Sequence, residues 1–323
     1  DRHCSIRNAV MIALLLSAWT HPLRFLAYPR DRNAFKLLKQ YYGPLASYRR
    51  LLWAVTSLER ARLITHCKTA PRPGKGRRRS TIRATAKLLE RTPVTQVSQM
   101  RRMIWQPLRL KNLEDSLATY RETRQTRSWR ADARAQNDAL RILQLSFTLP
   151  GWEQNAHGLF LRQSRSLNPR CDQLYRVFNV DWRHGGRWYG GAWQGLTRNE
   201  RALIRIDGEA VHEIDYRCLH PRLLAACLGC DLGSEDPYQI DGFPRSLVKK
   251  AFNTLLNAES SKSAILALKE DLLPTPSETP WQQARQVVDA VKARHPNFSE
   301  AWGTGIGLRL QCIDADMCGA VQD

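Results

Sequence analysis

Two kinds of periodicity divide this chain. In the first half, apolar residues return at helical spacing over long stretches. Ser47 to His66 sets Leu51, Leu52, Val55, Leu58 and Leu63 along one face, which predicts an amphipathic helix. From Thr81 to about Phe147 the pattern is again helical, with Arg101, Arg102, Arg109, Lys111, Arg121, Arg124, Arg127, Arg130 and Arg134 recurring and Trp105, Tyr120 and Trp129 interleaved. Nearer the start, Val10 to Trp19 is an apolar run of about ten residues bounded by Arg7 and His21–Pro22. A bilayer span needs about 20 such residues, and no small-residue cleavage pattern follows, so this run predicts a buried helix. Between the two helical stretches, Pro71–Ser80 (PRPGKGRRRS) packs Pro, Gly and five cations into ten residues. Such a stretch buries nothing and predicts a mobile basic loop that orders only against a polyanion.

Beyond Pro150 the pattern changes to glycines, aromatics and β-branched residues. Tyr175–Trp182 and Gly185–Trp193 (GGRWYGGAW) predict short strands and turns. Ala202–Ile206, Asp207–Gly208 and Ala210–Tyr216 predict a β-hairpin closed by a two-residue Asp-Gly turn, a strong short-range signal for antiparallel pairing. Its second strand would end at or near Asp215. Leu219–Leu228 and Pro244/Arg245 to Asn257 then predict helices. The class expected is α+β. Its segments are a helical region over 1–70, a basic linker over 71–80, a second helical and basic region over 81–150, and a mixed domain over 151–323.

Composition excludes a disordered chain, collagen and a disulfide miniprotein: of 323 residues, 43% are hydrophobic and 25% charged. The charge balance changes the picture more. Lys and Arg number 50 against 30 Asp and Glu, a net charge of +20, and the pI is about 10.1. From Asp1 to Arg134 there are about 29 basic and 8 acidic residues, so that segment holds about +21 and the remainder is close to neutral. A polyanion is the partner this implies, nucleic acid before an anionic membrane surface. Arg interleaved with aromatics supplies phosphate contacts and base stacking together. The candidate nucleic-acid contacts are Arg77, Arg78 and Arg79 in the basic loop and Arg101, Arg102, Arg124, Arg127 and Arg130 beyond it. The eight cysteines are scattered in a long chain and read as free thiols of a reducing compartment, which places the protein in the cytoplasm. Cys227 and Cys230 form a Cys-x-x-Cys pair without a second pair at ligand spacing.

Candidate chemistry concentrates in two segments. Asp215, in HEIDYRCLHPRLLAACLG, would stand where a strand turns directly into a helix, a rigid yet open position suited to a metal ligand. Arg245, Lys249 and Asn253 recur every four residues on one face of PRSLVKKAFNTLLNA, opposite the apolar face of Leu247, Val248, Phe252, Leu255 and Leu256. Two aligned cations suit a triphosphate.

These two segments, in this order, resemble motifs A and B of the family A DNA polymerases and their phage-type single-subunit RNA polymerase relatives. GGRWYGGAWQ, IDGEAVHEIDY, LHPRLL, EDPYQ and VKKAFNTLLNA together are similar to a little-described group of polymerase-like proteins of bacteria, phages and mobile elements. The resemblance covers about Tyr175 to Val321. It implies a polymerase-type palm with an antiparallel sheet and a helical fingers segment, preceded by the basic helical region. It implies that Asp215 is the metal-binding Asp, holding Mg²⁺ or Mn²⁺ in a two-metal mechanism, with Tyr216 beside it. Arg245 and Lys249 would hold the phosphates of a nucleoside triphosphate, and Arg222 would support the site. His220 stands where a DNA polymerase has the Glu that excludes a ribose 2′-hydroxyl, Asn257 where motif B has the Tyr under the templating pair, and Gln311 in place of a polar residue near the template.

The pattern departs from the family at its end. Motif C, the hairpin carrying the second metal-binding Asp, is not visible. Asp314 and Asp316 lie only about 65 residues beyond Lys249, and GLRLQCIDADMCGAV resembles the helix before motif C, as if the chain stopped short of it. The expected function is template-directed nucleotidyl transfer on DNA, as primer–template or single strand, or on RNA, without a membrane partner. The alternative is a nucleic-acid-binding protein with a decayed or truncated palm and no synthesis.

Overall fold

The computed structural model describes residues 2–43, 46–69, 79–92, 104–274 and 278–322. In chain order its elements are α1 (Arg2–Thr20), β1 (Leu26–Tyr28), α2 (Ala34–Tyr42), α3 (Tyr48–Arg60), β2 (Ile64–Cys67), β3 (Ser80–Ala84), α4 (Ala86–Glu90) and β4 (Leu108–Lys111). There follow α5 (Arg124–Ile142), β5 (Leu145–Phe147), β6 (Glu153–Gln154), β7 (Phe160–Arg162), β8 (Arg165–Leu167), β9 (Tyr175–Asn179) and β10 (Gly185–Tyr189). The remainder comprises α6 (Arg198–Arg201), β11 (Ile204–Ile206), β12 (Glu209–Ala210), α7 (Leu219–Leu228), α8 (Arg245–Asn257), α9 (Ser261–Lys269), α10 (Pro280–Arg294) and α11 (Gly307–Gln322). The class is α+β: the sheets are small, three-stranded and antiparallel where their register is described. No helix among the described residues is long and apolar enough to cross a membrane.

The chain divides into two compact units. Unit 1 holds Asp1–Arg109, Leu117–Arg176 and Tyr189–Glu213; unit 2 holds Leu110–Ser116, Val177–Trp188 and Ile214–Asp323. In unit 1, α1 and α3 pack on one face of the sheet β1–β3–β2, burying Leu14, Leu15, Val55 and Leu58 against Tyr28, Ile64 and Ile82. The apolar run at Val10–Trp19 is therefore a core helix, as its length implied. A second small core of Leu149, Leu167, Leu196 and Ile204 lies with the sheets β6–β7–β8 and β12–β11–β5.

Three expectations are corrected. The helix begun at Ser47 ends at Arg60. Arg62 at φ +58° breaks the helical path, and Ile64–Cys67 pairs instead with β3, Ile64 opposite Ala84 and His66 opposite Ile82. Within Thr81–Phe147, β3 and β4 replace helix. LRLK (108–111) alternates buried Leu with half-buried cations, a period of two that a strand satisfies and a helix does not. Of that stretch, Arg124–Ile142 is a full-length helix, opened by a reciprocal cap in which Thr123 Oγ1 accepts from the Thr126 N–H at 3.1 Å and Thr126 Oγ1 from the Thr123 N–H at 2.8 Å. The hairpin forms with its two-residue turn, Ile206 opposite Glu209, but its second strand stops at Ala210. Asp207 and Gly208 both take positive φ, +52° and +87°, the conformation that turn requires. Residues 211–216 are irregular.

Unit 2 is built around α8. Val248, Ala251, Phe252, Leu255 and Leu256 are fully buried against α9, α10 and α11, in a core that Leu224 and Ala225 of α7 join. The Phe252 ring sits among Tyr238, His295, Phe298 and Trp302 at 5.2–6.1 Å between ring centroids, edge to face as ring quadrupoles prefer.

Candidate functional site

The two helices of the sequence motifs form with the boundaries their patterns imply, and unit 2 brings their polar faces to α11. α7 starts directly after Cys218, whose left-handed conformation (φ +54°) turns the chain into the helix. Pro221 falls in the first turn, where its missing N–H costs nothing. Gly229, at φ +65°, closes the helix. His220, also in the first turn, is half-buried with its Nε2 3.9 Å from Asp314 Oδ2 on α11.

On α8, Arg245, Lys249, Asn253 and Asn257 form the polar face. Lys249 is exposed and Asn253 half-buried. α11 approaches α8 closely enough that a Cβ on Gly307 would stand 2.4 Å from Asn257 Oδ1, so a larger residue there would displace the Asn257 side chain. β10 is tied to the same helix by Trp188 Nε1, which donates to the Ala315 carbonyl at 3.3 Å.

The result is a polar cluster drawn from α7, α8, β10 and α11. Burial pushes the His220 imidazole below its ordinary pKa. Asp314 and the Asn253 amide favour its protonated form, whereas Arg187 and Lys249 oppose it. Asn253 Oδ1 is buried, and apart from the His220 ring no donor reaches it among the described residues. The environment of His220 thus contains two cations, one carboxylate and one amide.

A second cluster holds Arg245. Its Nε donates to Asp236 Oδ2 at 2.7 Å, and its guanidinium lies 5.3 Å from the centre of the Tyr238 ring. Arg217 reaches the same carboxylate at 3.5 Å, the Tyr238 N–H donates to Oδ1 at 2.9 Å, and the Cys218 thiol lies at 3.8 Å. The Arg245 hydrogen bond leads in pulling the Asp236 carboxyl down to about 2, so Asp236 stays ionised and orients both arginines.

The structure places Asp215 differently from the strand-end expectation. Residues 211–216 have no ladder partner among the described residues, Asp215 is exposed, Tyr216 is 55% exposed and Ile214 is 94% exposed. Glu213 is gripped by Arg201, Nη2 to Oε1 at 2.6 Å and Nε to Oε2 at 3.2 Å. Arg222 is exposed and donates to the Arg217 carbonyl at 3.3 Å. Gln311 is half-buried on α11.

Of the basic candidates, Arg77, Arg78, Arg101 and Arg102 lie outside the described residues. Arg79, Arg124 and Arg127 are exposed. Arg130 is engaged within the fold: its Nη2 meets Glu122 Oε1, and its Nε donates to Gln106 Oε1 at 3.0 Å. Sequence reasoning did not single out Arg187 or Asp236 as site residues. Arg187 is flanked by glycine and tryptophan in GGRWYGG, and Asp236 precedes Pro237 and caps its own turn, a local signal that reads equally well as a loop.

No family model matches this chain, and neither curated proteins nor solved structures give a significant match. Among the described residues no three His, Cys, Asp or Glu side chains stand together in a way that could hold one metal ion. Mg²⁺ is commonly bound by one or two carboxylates, with substrate phosphates and water completing its octahedron. The exposed Asp215 carboxylate fits only that mode, in which substrate supplies most of the ligands.

Proposed function

We propose that this protein is a nucleotidyltransferase of the family A polymerase type, joining an incoming nucleoside triphosphate to a nucleic-acid 3′-hydroxyl. The observation that carries the reading is the convergence of His220 from the first motif with Lys249 and Asn253 from the second beside Asp314. Segments recognised separately in sequence thus contribute to one polar cluster. In this reading the 3′-oxygen attacks the α-phosphorus and pyrophosphate leaves. Lys249 and Arg245 neutralise the phosphates, and Asp236 sets the direction in which Arg245 presents its free edge. Mg²⁺, when bound at Asp215, supplies further neutralisation of the phosphate charge. Nucleic acid is held by the basic first unit, and the palm sheet expected around Asp215 would need a partner strand to cover Ile214.

Specific observations favour the second reading, nucleic-acid binding without synthesis: Asp215 lies on an exposed unpaired segment, and Arg245 is already tied to Asp236. Extension of a labelled primer–template with Mg²⁺ or Mn²⁺, comparing deoxy- and ribonucleotides, separates the two. Extension that disappears in Asp215→Ala supports transfer. Tight, salt-sensitive binding of the same substrate with no extension in either protein supports binding alone.

A further inference from the structure

Among the described residues, the helices that pack on the sheet β1–β3–β2, α1 and α3, lie on one face. Its register sets Ala27, Thr81 and Cys67 in one cross-strand row and Arg83 beside Thr65 in the next. Phe25, just before β1, extends that second row, and the Arg83 guanidinium lies over one face of its ring, 4.8 Å from the centre. These side chains point away from the core on which α1 and α3 pack. Ala27, Thr65 and Cys67 are exposed, and Phe25 keeps 40% of its surface open. None of the six is a carboxylate. The chain entering β1 brings the exposed Arg24, the chain leaving it the exposed Arg30, and the chain entering β3 the exposed Arg79.

We propose that this open sheet face binds single-stranded nucleic acid, with a base stacked on the face of Phe25 that Arg83 leaves open and the backbone phosphates held by Arg83 and the strand-end arginines. A sheet is suited to this task because alternate residues of adjacent strands form a flat platform that holds aromatic rings and cations in fixed positions. A duplex offers no unstacked base to Phe25. Single strands do, and stacking on an aromatic tolerates any sequence because every base has a π-face. An apolar protein partner would leave the arginines unpaired, whereas a polyanion matches a face with cations and no carboxylate. The inference stands apart from nucleotidyl transfer, since it concerns unit 1 and holds equally for a protein that binds without synthesis.

The test is a footprint on the full chain. All eight cysteines are free thiols, with Cys67 exposed on the proposed face and Cys227 and Cys318 exposed in unit 2. Alkylation followed by peptide mass spectrometry reads each separately. A saturating oligothymidylate of about 15 nucleotides is expected to suppress alkylation of Cys67 and leave Cys227 unchanged. Phe25→Ala is expected to weaken binding about tenfold by fluorescence anisotropy, and Phe25→Trp to preserve it. Arg83→Gln is expected to lower the slope of log K on log salt by about 0.7. Asp215→Ala should leave footprint and affinity as they are, which separates this result from any loss of synthesis. Unchanged alkylation of Cys67 with the oligonucleotide bound overturns the proposal, as does unchanged affinity in Phe25→Ala. Protection of Cys67 by anionic phosphatidylserine vesicles but not by the oligonucleotide also overturns it and gives the face to a membrane surface.

Discussion

His220 is the residue whose protonation reports most directly on the candidate site. Its imidazole is taken partly out of water, which disfavours the charged form, and Arg187 and Lys249 add to that effect while Asp314 opposes it. The folded-state pKa is therefore below the ordinary value of about 6.5. A depressed histidine resists protonation in the folded state, so its contribution to stability is present above the unfolded pKa and is lost as pH falls through the folded one. Titration of the His220 ring by NMR is expected to give a midpoint below that of a surface histidine. Asp314→Asn should lower the midpoint further, because the group that favours the imidazolium is gone. An unchanged or raised midpoint in Asp314→Asn would show that the 3.9 Å approach of the two side chains does not persist in solution.

α8 shows what an element's own sequence can specify. Its apolar positions follow one face closely enough that both ends and most of the buried set are legible without a structure, Ala251 being the buried residue the pattern left out. The same holds for α7, whose end is marked by Gly229, and for the Asp207–Gly208 turn. What was not legible has a common physical cause. β4 alternates cations with buried Leu and β3 sets Thr81 and Arg83 between buried positions, so the recurring Arg resembled a helix face until pairing partners distant in sequence decided the matter. Residues 211–216 illustrate the converse. Local pattern favours a strand there, but a strand exists only where a neighbour completes its ladder, and beyond Ala210 no neighbour does so among the described residues. Among the site residues, the regular spacing of Lys249 and Asn253 was visible, whereas Asp236 and Arg187 come from loop and hairpin positions that periodicity does not describe. Because α8 organises its unit through Phe252, Phe252→Ala is expected to destabilise unit 2 by about 3–5 kcal/mol, the range for emptying a fully packed aromatic site. Chemical denaturation followed by tryptophan fluorescence, with Trp302 against the Phe252 ring, measures it. A loss under about 1 kcal/mol would mean that the cluster repacks without the ring.

At the scale of the whole molecule the dominant fact is where the charge lies. Residues 1–134 carry about +21, and the remainder is nearly neutral, so attraction to a polyanion acts on one part of the sequence and leaves the His220 cluster to chemistry of shorter range. Long-range attraction is screened within about 8 Å at physiological ionic strength, and the more phosphates the cations neutralise, the more counterions are released on binding and the more strongly added salt opposes it. Binding of nucleic acid should therefore fall steeply with salt. Ultraviolet cross-linking of an oligonucleotide to the full chain, followed by peptide mapping, is expected to place most adducts within residues 1–134 at moderate salt. Raising the salt should remove those adducts first, because the attraction exerted by exposed cations such as Arg79, Arg124 and Arg127 is the most screened. Adducts spread evenly over the chain, or concentrated beyond residue 134, would mean that shape and stacking rather than charge choose the binding surface. The net charge would then be a property of solubility and not of recognition.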